Sequence, residues 1–183
     1  MGKTSLARIL SRDYKRLMII DPLSEYADTV FTPTAYDALI YLKNNPNFRI
    51  STEDNEDLDN FLKLAWSTEN LCLHIEEIDM FADSRVMPFD LGNIIKRGRH
   101  RNISLICTSR RPAEVNRLLT SQASDIYIFN TTEPKDCQYI ESYTSSELKD
   151  TIQNLEKLTF IHYSDQGISK GSIHGFKEIV YER

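Results

Sequence analysis

No stretch of this sequence stays apolar for the roughly 18 residues that a membrane-spanning helix needs. The opening Met1-Gly2-Lys3-Thr4-Ser5 has no apolar signal core either. Cysteine is scarce and odd in number, three in 183 residues, and Cys72 and Cys107 sit inside apolar runs. A disulfide framework is therefore not expected, and a reducing cytoplasm is the expected location. The four histidines, His74, His100, His162 and His174, lack ligand-like spacing, so no metal site built from them is expected. His74 reads as a satisfied core histidine. Cys107, with no histidine partner, reads as a small core residue. Internal repeats and low-complexity linkers are absent too. Bases are outnumbered by acids, 22 to 27, for a net charge of −5. That balance argues against a nonspecific basic coat for nucleic acid or acidic membrane.

What is present is enough for a core. The chain is 40% apolar and 10% aromatic. Its length fits one domain, with a core over about residues 1–165 and a C-terminal strand extension over 166–183. A helical stripe (Leu6, Ala7, Ile9, Leu10) is followed by the apolar run Leu17–Ile20, stopped by Asp21-Pro22. Thr34 is placed to cap a helix over 35–44, and Phe48–Ser51 reads as a short strand. An acidic block (Glu53, Asp54, Glu56, Asp57, Asp59) suits the start of a helix with Leu58, Phe61, Leu62 and Ala65 inward. The strands Leu71–Ile75, Ile103–Cys107 and Ile126–Phe129 alternate with helices over 88–98, 113–121, 134–142 and 145–154. Leu158–Tyr163 and Ile173–Tyr181 read as final strands, with Gly167, Gly171 and Gly175 bracketing turns of a C-terminal β-hairpin. Tyr139 and Tyr143 share one helix face, and Trp66 reads as packing. Strands this apolar are buried on both sides. The expected fold is α/β, a mostly parallel sheet with helices on both faces.

In such sheets ligands sit beyond the carboxyl ends of the strands. Gly2-Lys3-Thr4-Ser5, opening an amphipathic helix, matches the end of the phosphate-binding loop G-x-x-x-x-G-K-[ST]. There Lys3 would reach the β- and γ-phosphates and the Thr4 hydroxyl would ligate Mg²⁺, while backbone N–H groups hold the nucleotide. Taken alone, the tetrapeptide is equally a start methionine followed by a capped helix. The run Leu71–Ile75 closes on Glu76-Glu77, the Walker B pattern. Its first carboxylate would bind Mg²⁺ through water, and the second would orient or deprotonate the attacking water. The alternative is a pair of solvated turn acids. From Lys96 to Arg117 seven bases face one acid, a local charge of +6 against −11 for the remainder. Arg97, Arg99 and Arg101 lie in a helix-to-strand turn, and Arg110-Arg111 close the next strand. Such residues serve as trans arginine fingers, as contacts to a DNA backbone, or as a solvated basic surface.

With these stretches in order, the sequence resembles the HerA–FtsK group of P-loop ATPases, and most of all the compact phage and viral packaging or morphogenesis ATPases. The matching stretches are Gly2–Ser5, Met18–Pro22 with Glu25-Tyr26, Leu73–Glu77 and Gly98–Pro112. The resemblance implies a RecA-like fold, ATP and Mg²⁺ as cofactors, a homo-oligomeric ring, DNA as partner, and Arg110 at the position that senses the γ-phosphate. It assigns catalysis to Lys3 and Glu77 with Arg97 or Arg99 of a neighbour, nucleotide binding to Gly2, Lys3, Thr4, Ser5 and Arg110, metal to Thr4 and Glu76, and DNA to Arg101 and Arg111. The chain departs from the group at Glu76, usually Asp; at Arg110, usually Gln; and at Asp79, often His. The first strand and most of the phosphate loop are missing, so a truncated product or mis-called start is expected. In the fold that the resemblance implies, that strand lies mid-sheet, between those ending at Ser109 and Asn130. The function expected is ATP binding and hydrolysis in a DNA-translocating or DNA-packaging motor. The alternative is a non-hydrolysing or truncated assembly protein.

Overall fold

A computed structural model describes residues 2–53, 57–144, 148–175 and 177–181. Helix α1 (Lys3–Ser11) leads to strand β1 (Arg16–Ile20). The two-residue strand β2 (Val30–Phe31) and helix α2 (Ala35–Asn44) follow, then β3 (Phe48–Thr52), α3 (Leu58–Thr68) and β4 (Leu71–Ile75). Thr34 caps α2 as expected, its hydroxyl accepting the Asp37 N–H at 3.1 Å. Of the acidic block, Asp54 and Glu56 lie outside the described residues. Asp57 caps at a distance, its carboxylate accepting the Ala35 N–H. Helix α4 (Phe89–Arg97) and a 3-10 turn, Gly98–Arg101, lead into β5 (Ile103–Cys107).

Strands β1 to β5 form one parallel sheet in the order β2-β3-β1-β4-β5. Alternation along each strand sends side chains to opposite faces. Met18, Ile20, Leu73 and Ile75 enter one cluster with Phe61, Leu62 and Ala65 of α3 and Leu91 and Ile94 of α4. Leu17, Ile19 and Cys72 face the other way, beneath Tyr26, on the side of α1. Both faces are thus covered. The register pairs Ile20 with Ile75 and Ile75 with Cys107, so Asp21, Glu76 and Thr108 stand in a row just beyond the carboxyl edge.

The sequence places Ile126–Phe129 in the parallel sheet, and the structure corrects this. Strand β6 (Asp125–Ile128) starts a separate antiparallel sheet with β7 (Thr159–Ser164), β8 (Gly167–His174) and β9 (Glu178–Tyr181). The apolar run marks a strand without naming its partner. The stretch expected as one strand over Ile173–Tyr181 is broken by a turn at Gly175, where φ is 56°. Between β5 and β6 no strand is found among the described residues, and each has a neighbour on one side only. The expected helix over 113–121 resolves into a 3-10 turn, Pro112–Glu114, and helix α5 (Arg117–Gln122) capped by Asn116. Helices α6 (Pro134–Thr144) and α7 (Lys149–Gln153) cover one face of the second sheet through Ile140 and Ile152, with Ile128 and Ile161. Residues 145–147 of the second expected helix lie outside the described residues. Tyr143 packs edge-on against Tyr139 and Tyr163, and the Tyr139 hydroxyl meets Thr120 at 2.8 Å. The other face packs Phe129, Phe160 and Ile173 against Leu6 of α1, which brings β8 into the core next to the site.

Gly171 does not bracket a turn. It lies within β8, where a Cβ would stand 2.7 Å from the Phe160 ring and 2.9 Å from the Val180 carbonyl oxygen. Gly171→Ala is therefore expected to destabilise the chain by about 1–3 kcal/mol through overpacking, measured as a lower midpoint in urea unfolding.

Candidate functional site

The carboxyl edge of the parallel sheet meets the N-terminus of α1 in a cavity of about 280 Å³. Gly2, Lys3, Thr4 and Ser5 line it from one side, Glu76, Glu77, Thr108 and Arg110 from the other, and Leu23 and Glu25 close it. Gly2 precedes the helix with φ 126°, and a Cβ there would fall 2.6 Å from the Phe129 ring. Only glycine fits that turn without strain. The first turn of α1 carries no acid and no side-chain cap, so its unpaired N–H groups and positive dipole end are turned to the cavity.

Glu76 is held by three donors. The Tyr26 hydroxyl donates to Oε1 at 2.6 Å, His74 Nε2 lies 3.3 Å from the same oxygen, and the Thr108 hydroxyl donates to Oε2. Burial alone would raise this carboxyl. The hydrogen bond and charge of His74, with the bonds from Thr108 and Tyr26, outweigh it and hold Glu76 below the usual carboxylate range. Glu76 is thus a fixed anion. The expectation that His74 is a satisfied core histidine holds for one nitrogen only. The ring is fully buried, Nε2 faces Glu76, and Nδ1 has no partner among the described residues. Asp21 is similar: Oδ2 accepts the Tyr26 N–H at 2.9 Å while buried Oδ1 has no partner.

Thr108 also orders the second acid, because its Oγ accepts the Glu77 N–H at 3.0 Å. Glu77 adopts a left-handed backbone, φ 52° and ψ 52°, which costs energy in a residue with a Cβ and turns the chain sharply after the strand. Its side chain, 16% exposed, is ion-paired to Arg110, which is 59% exposed at the mouth of the cavity. The Arg110 N–H in turn donates to Asp79 Oδ1 at 3.3 Å. Among the described residues no group of three or more His, Cys, Asp or Glu could hold a metal by itself. An anion at Glu76 and the Thr4 hydroxyl in the same cavity nevertheless fit a magnesium ion that arrives with a phosphate, since magnesium keeps several waters and takes few protein ligands.

The structure gathers Gly2, Lys3, Thr4, Ser5, Glu76, Glu77 and Arg110 and leaves the other arginines elsewhere. Arg97, Arg99 and Arg101 lie before β5, at the opposite end of the sheet from Glu77. Arg97 and Arg99 are exposed there, whereas Arg101 stacks 4.5 Å over Trp66, pairs with Glu69 and donates to the Trp66 carbonyl at 3.0 Å. Arg111 is tied to buried Asp136 at 3.1 Å, with Glu114 and Glu133 nearby, and Asp136 chiefly raises its pKa. Burial pushes the Cys72 thiol up to about 12, as suits an inert core cysteine, and raises the thiol of Cys107, which is half-buried on the edge strand β5. A larger open groove, about 580 Å³, runs past Arg8, Arg12 and Arg49. It is no rival site, because Arg49 is spent on the carbonyls of Ser11, Arg12 and Tyr14 and on Asp28. Sequence reasoning includes Glu25-Tyr26 in a stretch that matches the family but gives Tyr26 no role, whereas the structure puts its hydroxyl on Glu76.

No protein-family profile matches the chain. A curated relative, "Probable helicase MJECL08" of Methanocaldococcus jannaschii, is 31% identical over 88 residues, 46% of this chain and 17% of the relative. The chain therefore spans less than a fifth of that relative's length. Among solved structures it resembles the genome packaging NTPase B204 of Sulfolobus turreted icosahedral virus 2 in complex with AMPPCP, with a TM-score of 0.74 at 17% identity over 99% of this chain and 88% of that one. The DNA-packaging ATPase B204 of Sulfolobus turreted icosahedral virus matches with a TM-score of 0.70 at 18% identity, again over 99% and 88%. The ATPγS complex of the former matches at 0.68 and 18% identity, over 92% and 81%. At these identities the likeness is one of fold: the chain shares the fold of these packaging NTPases.

Proposed function

We propose that this chain binds and hydrolyses ATP with Mg²⁺ as the nucleotide domain of an oligomeric motor that moves or packages DNA. One observation carries the reading: the Gly2–Ser5 turn, the acids Glu76 and Glu77 and the guanidinium of Arg110 converge on one cavity of about 280 Å³. Lys3 and the N-terminus of α1 hold the β- and γ-phosphates, and Arg110 meets the γ-phosphate. Thr4 and Glu76 hold the magnesium ion, which supplies charge neutralisation on the phosphates. Glu77 accepts a proton from the attacking water. The resemblance to packaging NTPases and the basic segment support the DNA role. Arg97 and Arg99, exposed and remote from the cavity of their own chain, then act on a neighbouring subunit, whereas Arg101 and Arg111, paired with Glu69 and Asp136, have little free charge to offer DNA.

The Arg110–Glu77 ion pair favours a second reading, a nucleotide-binding assembly protein without turnover, because a base engaged by a cation is a poor proton acceptor. Equilibrium binding of ATPγS with Mg²⁺, followed by ATP turnover, separates the two. Lys3→Ala is expected to weaken ATPγS binding about tenfold or more, the loss of a charge-assisted contact. Unchanged affinity in that variant would remove the phosphate site from α1.

A further inference from the structure

The turn after β1 delivers Tyr26 to a position from which it touches the end of β1, helix α1 and Glu76, while it lines the neighbouring groove rather than the cavity itself. Its N–H donates to Asp21 Oδ2 at 2.9 Å, which fixes it to the end of β1. Its ring, 5% exposed, packs with Leu17, Ile19 and Cys72 and lies edge-on to His74 at 5.1 Å. From α1, one helical turn beyond Thr4, the Arg8 guanidinium sits 4.7 Å over that ring. Its hydroxyl donates to Glu76 Oε1 at 2.6 Å. Thr4 lies on α1 and Glu76 just beyond β4, and Tyr26 contacts both elements, at Arg8 and at Glu76.

We propose that Tyr26 is the positioning residue of the cation site: it holds Glu76 at a fixed distance from Thr4 and so sets the preference for magnesium-bound over bare nucleotide. The inference rests on the reading of Thr4 and Glu76 as the magnesium-binding pair. A carboxylate with a free rotamer would have to be ordered when the ion arrives. Here the order is built beforehand, Oε2 fastened by Thr108 and Oε1 by Tyr26 at 2.6 Å with His74 at 3.3 Å. The hydroxyl does this work. The ring and its contacts to Arg8 and His74 belong to the core.

Tyr26→Phe keeps the ring and removes the hydroxyl. Binding of ATPγS is measured for the full chain in Mg²⁺ and in EDTA. The wild type is expected to bind more tightly in Mg²⁺, and Tyr26→Phe to lose about ten- to thirtyfold in Mg²⁺ and nothing in EDTA, the scale of one hydrogen bond to a charged group. In a Glu76→Gln background the same substitution is expected to have no further Mg²⁺-selective effect. A general loosening of the fold lowers both affinities by one factor and overturns the proposal. A Mg²⁺ gain retained in full by Tyr26→Phe overturns it alone. A wild type that binds ATPγS with no gain from Mg²⁺ overturns the cation site together with it.

Discussion

Glu77→Gln is expected to cut ATP turnover by about 10²–10⁴-fold, the range lost when a positioned general base is removed, while ATPγS remains bound. The split follows from geometry. Glu77 lines the same cavity as Lys3 and Thr4, yet its backbone is anchored apart from theirs, by the N–H bond to Thr108 after β4. Gln keeps the size and the left-handed turn and loses only the charge and the basic oxygen. Its amide still faces Arg110, now without an ion pair, so the guanidinium is freer to meet a γ-phosphate. Single-turnover hydrolysis and ATPγS affinity, measured on one preparation, check both halves. Turnover within threefold of the wild type would take the base assignment away from Glu77. Parallel loss of turnover and binding would place its role in nucleotide capture.

The elements next to this site were legible before the fold was known, and for a common reason. Leu71–Ile75 and Ile103–Cys107 are mostly apolar and are closed by polar residues, Glu76-Glu77 and Thr108-Ser109, so their limits coincide with the observed strands. The helix cap at Thr34 and the inward face Phe61, Leu62 and Ala65 follow from local rules. Partners across the chain are a different matter. Ile126–Phe129 carries the same pattern as a central parallel strand, yet β6 pairs antiparallel with β7, because nothing in four apolar residues encodes direction or neighbour. Val30–Phe31 is too short to be recognised and forms an edge strand only because β3 is there to pair with it. In the site, Lys3, Thr4, Glu76, Glu77 and Arg110 were readable from motif spacing. Tyr26 was not, since its contact with Glu76 joins positions 50 residues apart. Arg101 and Arg111 read as free surface charge in sequence, whereas Glu69 and Asp136, distant in the chain, supply their partners.

Leu73→Ala is expected to destabilise the chain by about 2–5 kcal/mol, a large part of the 5–15 kcal/mol that holds a typical domain together. Leu73 is 0% exposed and sits in β4 between β1 and β5, paired with Met18 on one side and Leu105 on the other. It packs in the cluster that contains Phe61, Leu62, Leu91 and Ile94. Strands on both sides and helices above prevent the site from collapsing, so the deleted atoms leave a cavity and the cost falls toward the upper end of that range. Phe89, 81% exposed at the start of α4, is the control, and Phe89→Ala is expected to change stability by no more than about 0.5 kcal/mol. Urea unfolding followed by circular dichroism measures both. Leu73 is also three residues before Glu76, which follows the same strand, and its side chain faces away from Tyr26. The cavity therefore opens on the helix side, and the face that carries Tyr26 keeps its packing. Saturating Mg²⁺ and ATPγS should consequently raise the unfolding free energy of Leu73→Ala by the same increment as in the wild type, because ligand linkage depends on affinity and not on the stability of the host. A smaller increment in the variant would show that the core beneath β4 sets the geometry of Glu76, and that fold and site are one cooperative unit.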